Sequence, residues 1–207
     1  MKSDLHVHTT FSDGICDPEE VVYIASMVGL DCIAITDHDT MDGVGAAINA
    51  GYKHNVKVIP GIEVTSKDGH ILGIGVKNII PSGMRWNDTI NSIHRAGGVA
   101  IAAHPFSLSP PGCKKKPGFD GIEVWNGGPV LSWIPNIRAM YYWMQNVDKF
   151  AAVGGSDTHY PITLGTIMTL SEDTDVVQAI RDRKTSIVLN PIDWKTVPYN
   201  VRKKVNR

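Results

Sequence analysis

The chain begins with two histidines two positions apart, in the segment DLHVH that starts at Asp4. In a β-strand, residues i and i+2 point to the same side, so His6 and His8 can present both imidazoles to one point. Near the other end of the chain, Asp157 and His159 have the same spacing. Because a buried imidazole needs a hydrogen-bonding or metal partner, the two pairs indicate a metal site formed by distant parts of the chain.

Further side chains of metal-ligand type stand near the ends of predicted strands or follow the first histidine pair: Asp13, His38, Glu63, His70 and His104. Together with the two pairs they make nine nitrogen and oxygen donors. Gathering these groups without a cation would cost on the order of several kcal/mol. The set therefore predicts bound metal. By contrast, His54 and His94 lie in polar, helical contexts and are interpreted as ordinary surface or interface residues.

Short β-branched runs alternate along the chain with longer helical patterns. The predicted strands are residues 4–7, 32–36, 57–62, 70–75, 99–103, 121–125 and 151–154. The predicted helices are 18–28, 41–55, 86–96, 134–147 and 174–183. This alternation predicts an α/β fold with a parallel sheet, closed into a barrel, whose strands bring their C-terminal ends together on one face. His70 begins its strand, so it must reach that face from a loop or an antiparallel strand.

Composition excludes several classes of protein. With 20 Lys+Arg against 21 Asp+Glu, the net charge of −1 creates no overall attraction to nucleic acid or membrane. The N-terminus lacks an apolar signal segment, and no apolar run approaches the length of a membrane span. Three cysteines without a C-x-x-C pair indicate reduced thiols, and hence a cytoplasmic protein. No membrane partner and no obligatory protein partner is expected.

Five motifs in this sequence resemble those of the polymerase and histidinol phosphatase (PHP) family. They are DLHVHT from Asp4, ITDHD from Ile35, PGIE from Pro60, AHP from Ala103 and GSDTH from Gly155, and the likeness runs in order from about residue 1 to 189. The resemblance implies a distorted (β/α)7 TIM-like barrel of seven strands and helices, with two or three divalent ions. It divides the chain into a PHP domain at 1–194 and a basic tail at 195–207.

The resemblance also implies which residues would hold each ion. The first ion would lie between His6, His8, Glu63 and Asp157, the second between Glu63, His70 and His104, and the third between Asp13, His38 and His159. Imidazole and carboxylate ligands suit Mn²⁺, Zn²⁺ or Fe²⁺. Two ions bridged by Glu63 would acidify a shared water, and the third would assist the leaving group. The predicted catalytic residues are Glu63, Asp157 and His159.

The implied activity is that of a metal-dependent phosphoesterase that hydrolyses a phosphomonoester, either a small phosphorylated metabolite or a nucleotide. Candidate substrate contacts are Thr65, Ser66, Lys67 and Arg138. Family members that act on nucleoside phosphates usually carry a long insertion between the positions of His70 and His104. Here that stretch has room for one helix and its loops, so the lid that shapes a nucleotide pocket in those relatives is missing or replaced.

Two other functions fit the same residues. One is a 5′-to-3′ exonuclease on short RNA or DNA, in which the basic loop Lys114–Lys116 and the basic tail at 195–207 would follow the phosphate backbone. The other is a non-catalytic accessory module of the PHP type that binds metal without doing chemistry. The complete set of nine donors argues against the second alternative.

Overall fold

The structure, a computed structural model, describes residues 1–109, 112–113, 116–128 and 133–190. Nine strands lie in this part of the chain: β1 Lys2–Val7, β2 Cys32–Ile35, β3 Lys57–Ser66, β4 Gly69–Ile74, β5 Val99–Ala102, β6 Gly121–Asn126, β7 Ala151–Gly155, β8 Ile167–Ser171 and β9 Thr185–Leu189. The helices there are α1 Pro18–Met27, α2 Val44–His54, α3 Trp86–Arg95, α4 Trp133–Met144 and α5 Val176–Arg181.

The strands form a single sheet in the order β7-β6-β5-β4-β3-β2-β1-β8-β9. Strands β1 to β3 are parallel, as are β5 to β7, whereas β4 is antiparallel to both of its neighbours. Strand β8 pairs antiparallel with β1, and β9 with β8. The sheet nearly closes between its two ends, because the hydroxyl of Thr169 in β8 bonds both the N–H and the carbonyl of Gly154 in β7. Thr185 in β9 donates to the carbonyl of Ala152.

The predicted α/β barrel is confirmed, with a different strand count. All seven predicted strands and all five predicted helices are present within a few residues of their expected bounds. The prediction of seven strands is wrong, because β8 and β9 add a hairpin that the sequence pattern did not reveal. Their runs, IMTLS and TSIVL, contain Thr and Ser, and β9 is half exposed, so neither segment shows the apolar run of a buried strand.

Three apolar clusters position these elements. One gathers side chains from six strands, among them Leu5, Leu72 and Ile101, and fills the barrel interior. Helix α5 closes this interior at the N-terminal end of the parallel strands, where its Arg181 donates to the carbonyl of Gly97, just before β5. The second cluster joins α1 and α2 to the outside of the first strands, and the third joins α3 and α4 to the outside of β3 to β7. The candidate metal centre lies at the opposite end of the barrel, where the parallel strands finish.

The expectations for the cysteines and for membrane spans can be compared with the described part of the chain. Its cysteines, Cys16, Cys32 and Cys113, are buried, and the structure shows no disulfide between them. No helix there combines the length and hydropathy that a bilayer crossing requires. Lys114, Lys115 and the tail at 195–207 lie outside the described residues, as does the domain boundary expected at 194.

Candidate metal centre

The carboxylate of Glu63 lies at the centre of a group of five imidazoles. Its side chain is buried, and its two oxygens face different histidines. Oε2 lies 3.1 Å from His6 Nε2, 3.2 Å from His8 Nε2 and 3.3 Å from His38 Nδ1. Oε1 lies 3.0 Å from His70 Nδ1 and 3.1 Å from His104 Nε2. One carboxylate with two separately surrounded oxygens is the arrangement expected of a group that bridges two cations.

The antiparallel strand β4 explains how His70 reaches this centre. The β3–β4 hairpin pairs Thr65 with His70 and Glu63 with Leu72. Because side chains alternate along a strand, Glu63, Thr65 and His70 share one face of the sheet. Strand β4 therefore begins at the end of the barrel where the parallel strands finish, which confirms the antiparallel route left open by the sequence.

Asp157 completes the first group of donors. Its Oδ1 lies 3.2 Å from His8 Nε2 and 3.4 Å from His6 Nε2, directly beyond the end of β7. The backbone of Asp157 has φ of 51°, and that of His104, just after β5, has φ of 28°. Residues other than glycine rarely adopt such values, and strained backbone of this kind concentrates at functional sites.

A third group is more exposed than the first two. Asp13 Oδ2 lies 3.1 Å from His159 Nε2 and 3.7 Å from His38 Nε2, while Asp13 Oδ1 lies 3.5 Å from His8 Nδ1. The buried carboxylate of Asp37 accepts hydrogen bonds from Thr9 and Ser12 and so holds the loop that carries Asp13. His38 lies between the second and third groups, since its two nitrogens face Glu63 and Asp13 respectively.

The donors fit divalent cations. Four buried imidazole nitrogens have no hydrogen-bond partner: His6 Nε2, His8 Nε2, His38 Nδ1 and His104 Nδ1. The first three lie within 3.3 Å of Glu63 Oε2 without forming a hydrogen bond. Unpaired polar atoms in a buried position are costly, and several that face a shared carboxylate are accounted for by metal ligation. The imidazole and carboxylate chemistry suits Mn²⁺, Zn²⁺ or Fe²⁺.

The charges of the centre shift the pKa values of its members in opposite directions. Burial alone would raise the pKa of Glu63, but the imidazole of His6 and the hydrogen bond from His104 outweigh it and hold the pKa well below its usual range. Burial would lower the pKa of His8, but the adjacent carboxylates of Asp157 and Glu63 outweigh it and raise the pKa to about 9. The pKa of His6 is raised in the same way, mainly by Asp157 and Glu63. Without cations, the neighbouring carboxylates therefore hold protons on the imidazoles of His6 and His8.

An open cavity of about 860 Å³ gives access to the centre. Seven of the nine predicted ligands line it, and His6 and His8 lie beneath them. The remaining lining residues are Ser109, Gly127, Gly128, Tyr160 and Thr163, none of which the sequence had indicated as site residues. The two other histidines lie elsewhere: the His54 ring packs against Tyr23, and His94 pairs with Asp120.

The four candidate substrate contacts are not among the residues that line this cavity. The hydroxyl of Ser66 donates to the carbonyl of Gly69 within the β3–β4 turn. Thr65 and Lys67 are exposed. The backbone N–H of Thr65 donates to Asp39 Oδ1, and that of Lys67 donates to the carbonyl of Met84. Arg138 is exposed on α4. Their proposed contact with substrate therefore remains a prediction without support from the cavity.

Glu123 and Asn126 also contact the centre, although neither was predicted from the sequence as a site residue. Glu123 is fully buried in β6, where its Oε1 accepts a hydrogen bond of 3.0 Å from His6 Nδ1 and its Oε2 one of 2.7 Å from His104 N. A carboxylate that accepts a hydrogen bond from one ring nitrogen of a histidine leaves the other ring nitrogen available to bind a metal. The signal in the sequence was an acid inside an otherwise apolar strand, GIEVW, because such a buried charge needs a specific partner.

Comparisons with known proteins agree with the fold and the donors. The PHP domain family model matches residues 4–117. An uncharacterized protein of Methanocaldococcus jannaschii, MJ1587, is 34% identical in an alignment that covers 70% of this chain and 100% of that protein. A 3′,5′-nucleoside bisphosphate phosphatase of Chromobacterium violaceum is 34% identical over 62% of this chain and 45% of its own length. For the 5′-3′ exoribonuclease Rnm of Salmonella typhimurium the identity is 37%, over 61% of this chain and 44% of that protein.

The chain thus matches less than half of the length of either relative with a named activity. Among solved structures, a two-domain protein of Bacteroides vulgatus that contains a predicted PHP-like metal-dependent phosphoesterase superimposes with a TM-score of 0.76. That match has 21% sequence identity and covers 92% of this chain and 65% of the other, so it shows the shared fold. The family model and the full-length relative establish the wider assignment: this chain belongs to the PHP domain family.

Proposed function

We propose that this protein is a metal-dependent hydrolase of phosphoester bonds, and that it acts on a phosphomonoester, either a small phosphorylated metabolite or a nucleotide. The observation that carries the proposal is the Glu63 carboxylate, whose two oxygens face separate sets of buried imidazole nitrogens. Relatives named as a bisphosphate phosphatase and an exoribonuclease support hydrolysis of phosphoesters in general.

In this proposal the nine donors hold two or three ions in the sets that the family resemblance implies. Bound divalent ions would lower the pKa of a water toward about 7 and neutralise charge on phosphoryl oxygens. The side chains provide the fixed geometry: Glu63 would hold two ions through its separate oxygens, Asp157 faces His6 and His8, and Glu123 accepts a hydrogen bond from the other nitrogen of His6. His159 lies at the more exposed side, where its Nε2 faces Asp13 and the cavity.

The cavity favours a small substrate. Its volume lies within the range of roughly 300–1,000 Å³ that is typical of small-molecule sites. The residues that line it, within the part of the chain that the structure describes, include no Lys or Arg. Charge on a phosphate would therefore be met by the cations, while Tyr160 offers an aromatic ring at the rim for the rest of the molecule.

The exonuclease alternative is kept because one relative is named as an exoribonuclease. The basic features expected to follow a nucleic acid backbone are mostly outside the described residues. Lys116, which is described, pairs with Asp68 at 3.5 Å and lies 4.2 Å from the centre of the Trp86 ring. Contacts with many phosphates make binding steeply dependent on salt, so oligonucleotide cleavage that hardly changes with salt would count against this alternative.

The test is a phosphate-release panel on the metal-loaded protein. It should span sugar phosphates, nucleoside monophosphates, 3′,5′-bisphosphates and 5′-phosphorylated oligonucleotides. We expect turnover of at least one small monoester and a loss of at least about 100-fold in Asp157→Ala. His54→Ala is the matched control, because that ring lies on Tyr23 away from the centre, and it should retain full activity. Metal content without turnover across the panel would instead support the accessory-module alternative.

A further inference from the structure

A β-bulge in β6 brings Glu123 and Asn126 to the same side of the sheet. Opposite β7, Glu123 pairs with Val153 and Trp125 with Gly154, so Val124 is the extra residue. In a regular strand, residues three apart point to opposite sides, and a bulge reverses this alternation. Asn126 therefore faces the metal centre together with Glu123.

The side-chain amide of Asn126 joins two carboxylates, those of Glu123 and Asp157. Its Nδ2 donates to Glu123 Oε2 at 2.9 Å and to Asp157 Oδ2 at 3.1 Å. Its Oδ1 accepts from Gly128 N at 2.8 Å. Both amide hydrogens and the oxygen are therefore engaged, which fixes the orientation of the amide.

These bonds select which oxygens remain for the centre. Asp157 Oδ2 is turned toward Asn126, so Oδ1 is the oxygen that faces His6 and His8. Likewise Glu123 Oε2 is engaged by Asn126 and by His104 N, so Oε1 is left for His6 Nδ1. One neutral amide thus orients two carboxylates, one in β6 and the other just beyond the end of β7.

Asn136 on α4 holds Asn126 in turn. Its Oδ1 accepts from Asn126 N at 3.0 Å, and its Nδ2 donates to Asn126 O at 2.8 Å. The side chain of Asn136 is buried, although half of the residues of α4 are exposed. The helix is therefore fastened to the end of β6 at the residue that faces the metal centre.

We propose that Asn126 is a positioning residue of the metal centre, which holds Asp157 and Glu123 in the orientation that ligates cation, and that Asn136 positions Asn126. The proposal rests on the proposed function, since it takes His6, His8 and Asp157 as ligands. It assigns a role in metal affinity to a helix that contributes no ligand of its own.

The test compares Co²⁺ binding by wild type, Asn126→Asp and Asn126→Ser, measured by chelator competition and by the visible absorption spectrum of the bound Co²⁺. The first variant preserves the size of the side chain and the acceptor for Gly128, but replaces the donor with a third acid beside Asp157 and Glu123. We expect about 10- to 100-fold weaker binding of one ion and a changed spectrum. Asn126→Ser, which loses the same donor without adding charge, should show the smaller loss.

Asn146→Asp is the matched control, because that amide also bonds the main chain, its Nδ2 donating to the carbonyl of Tyr142, but lies away from the centre. Its Co²⁺ affinity and spectrum should equal those of wild type. Should Asn126→Asp fail to fold, Asn136→Ala decides the question, since it leaves every side chain of the centre in place. Weaker Co²⁺ binding, with kcat lowered more than KM is raised, supports the proposal.

Unchanged affinity and spectrum in the folded Asn126 variants, or in Asn136→Ala, would overturn the inference. This result would leave the proposed function standing if the wild type binds metal and releases phosphate. Conversely, weaker Co²⁺ binding in the variants, together with no phosphoester hydrolysis by the wild type, would preserve the positioning role and remove the proposed function.

Discussion

His159 Nε2 lies 3.1 Å from Asp13 Oδ2, although 146 residues separate them in the sequence. Asp13 lies in the loop after β1 and His159 in the loop after β7, so the barrel must nearly close before they can meet. The side chain of Asp13 is 52% exposed, whereas that of Glu63 is 1% exposed. The third group of donors is therefore the part of the centre that can be changed with the least effect on the fold.

Asp13→Asn should lose one equivalent of metal and retain the other two. The amide is a poor ligand, and the exposed site leaves folding unaffected, so activity should fall about 10- to 100-fold without a change in Tm. Elemental analysis and steady-state kinetics measure both effects. Asp173→Asn, an exposed acid after β8 at the other end of the barrel, is the control and should match wild type. Full metal content in Asp13→Asn would show that no third ion depends on this residue.

Glu63→Gln should remove more metal than His70→Ala. Glu63 faces two groups of imidazoles through its two oxygens, whereas His70 faces only Oε1. We therefore expect Glu63→Gln to lose two equivalents and nearly all activity, and His70→Ala to lose one. Metal stoichiometry after equilibrium dialysis gives the comparison. Equal losses in the two variants would contradict the bridging role.

The metal-free protein should lose stability between pH 6.5 and about 9. The folded pKa of His8 is raised to about 9 from an ordinary 6.5, so the folded state binds the extra proton more tightly than the unfolded state. This contribution to the free energy of unfolding is complete below pH 6.5 and is lost as the pH rises through 9. Asp4, whose pKa burial raises to about 6, is already ionised in this range and adds little to the change.

Metal should remove that dependence, because ligation keeps the imidazoles deprotonated in the folded state. Thermal unfolding at pH 6.5, 7.5 and 9, with chelator and with saturating Mn²⁺, makes the comparison. The expected result is a falling Tm with chelator and a flatter or rising Tm with metal. Parallel curves would show that these histidines do not bind the ion.

Gly155→Ala should destabilise the protein and weaken metal binding. A Cβ atom there would lie 2.4 Å from His6 Cβ and 2.9 Å from Glu123 Oε1, so the histidine or the strand must move. We expect a loss of about 1–3 kcal/mol in the free energy of unfolding. Gly45→Ala is the matched substitution, since its Cβ would contact nothing within 4 Å, and in a helix it should stabilise by up to about 1 kcal/mol. Urea unfolding of both variants measures the difference.

The sequence was most informative where a local rule applies. The alternation of side chains in a strand predicted that His6 and His8 would face one point, and they do so at Glu63. The predicted helix at 18–28 begins and ends where local capping rules apply: Asp17, just before it, accepts from Glu20 N, and Gly29, just after it, has φ of 76°.

The sequence was least informative where contacts between distant segments determine the structure. The bulge in β6 is defined by its register against β7, so alternation alone would have placed Asn126 on the opposite side from Glu123. Strand β8 is held by pairing with β1, more than 160 residues earlier, which no local pattern can indicate. The lining residues Tyr160 and Thr163 likewise become neighbours of the centre only through the fold.

The most direct measurement is the anomalous diffraction of a crystal grown with Mn²⁺ or Zn²⁺. We predict peaks at two or three positions, one of them about 2.0–2.2 Å from His6 Nε2 and from a carboxylate oxygen of Asp157, and one on each side of Glu63. A crystal of active protein with no such peak within ligand distance of Glu63 would contradict the account.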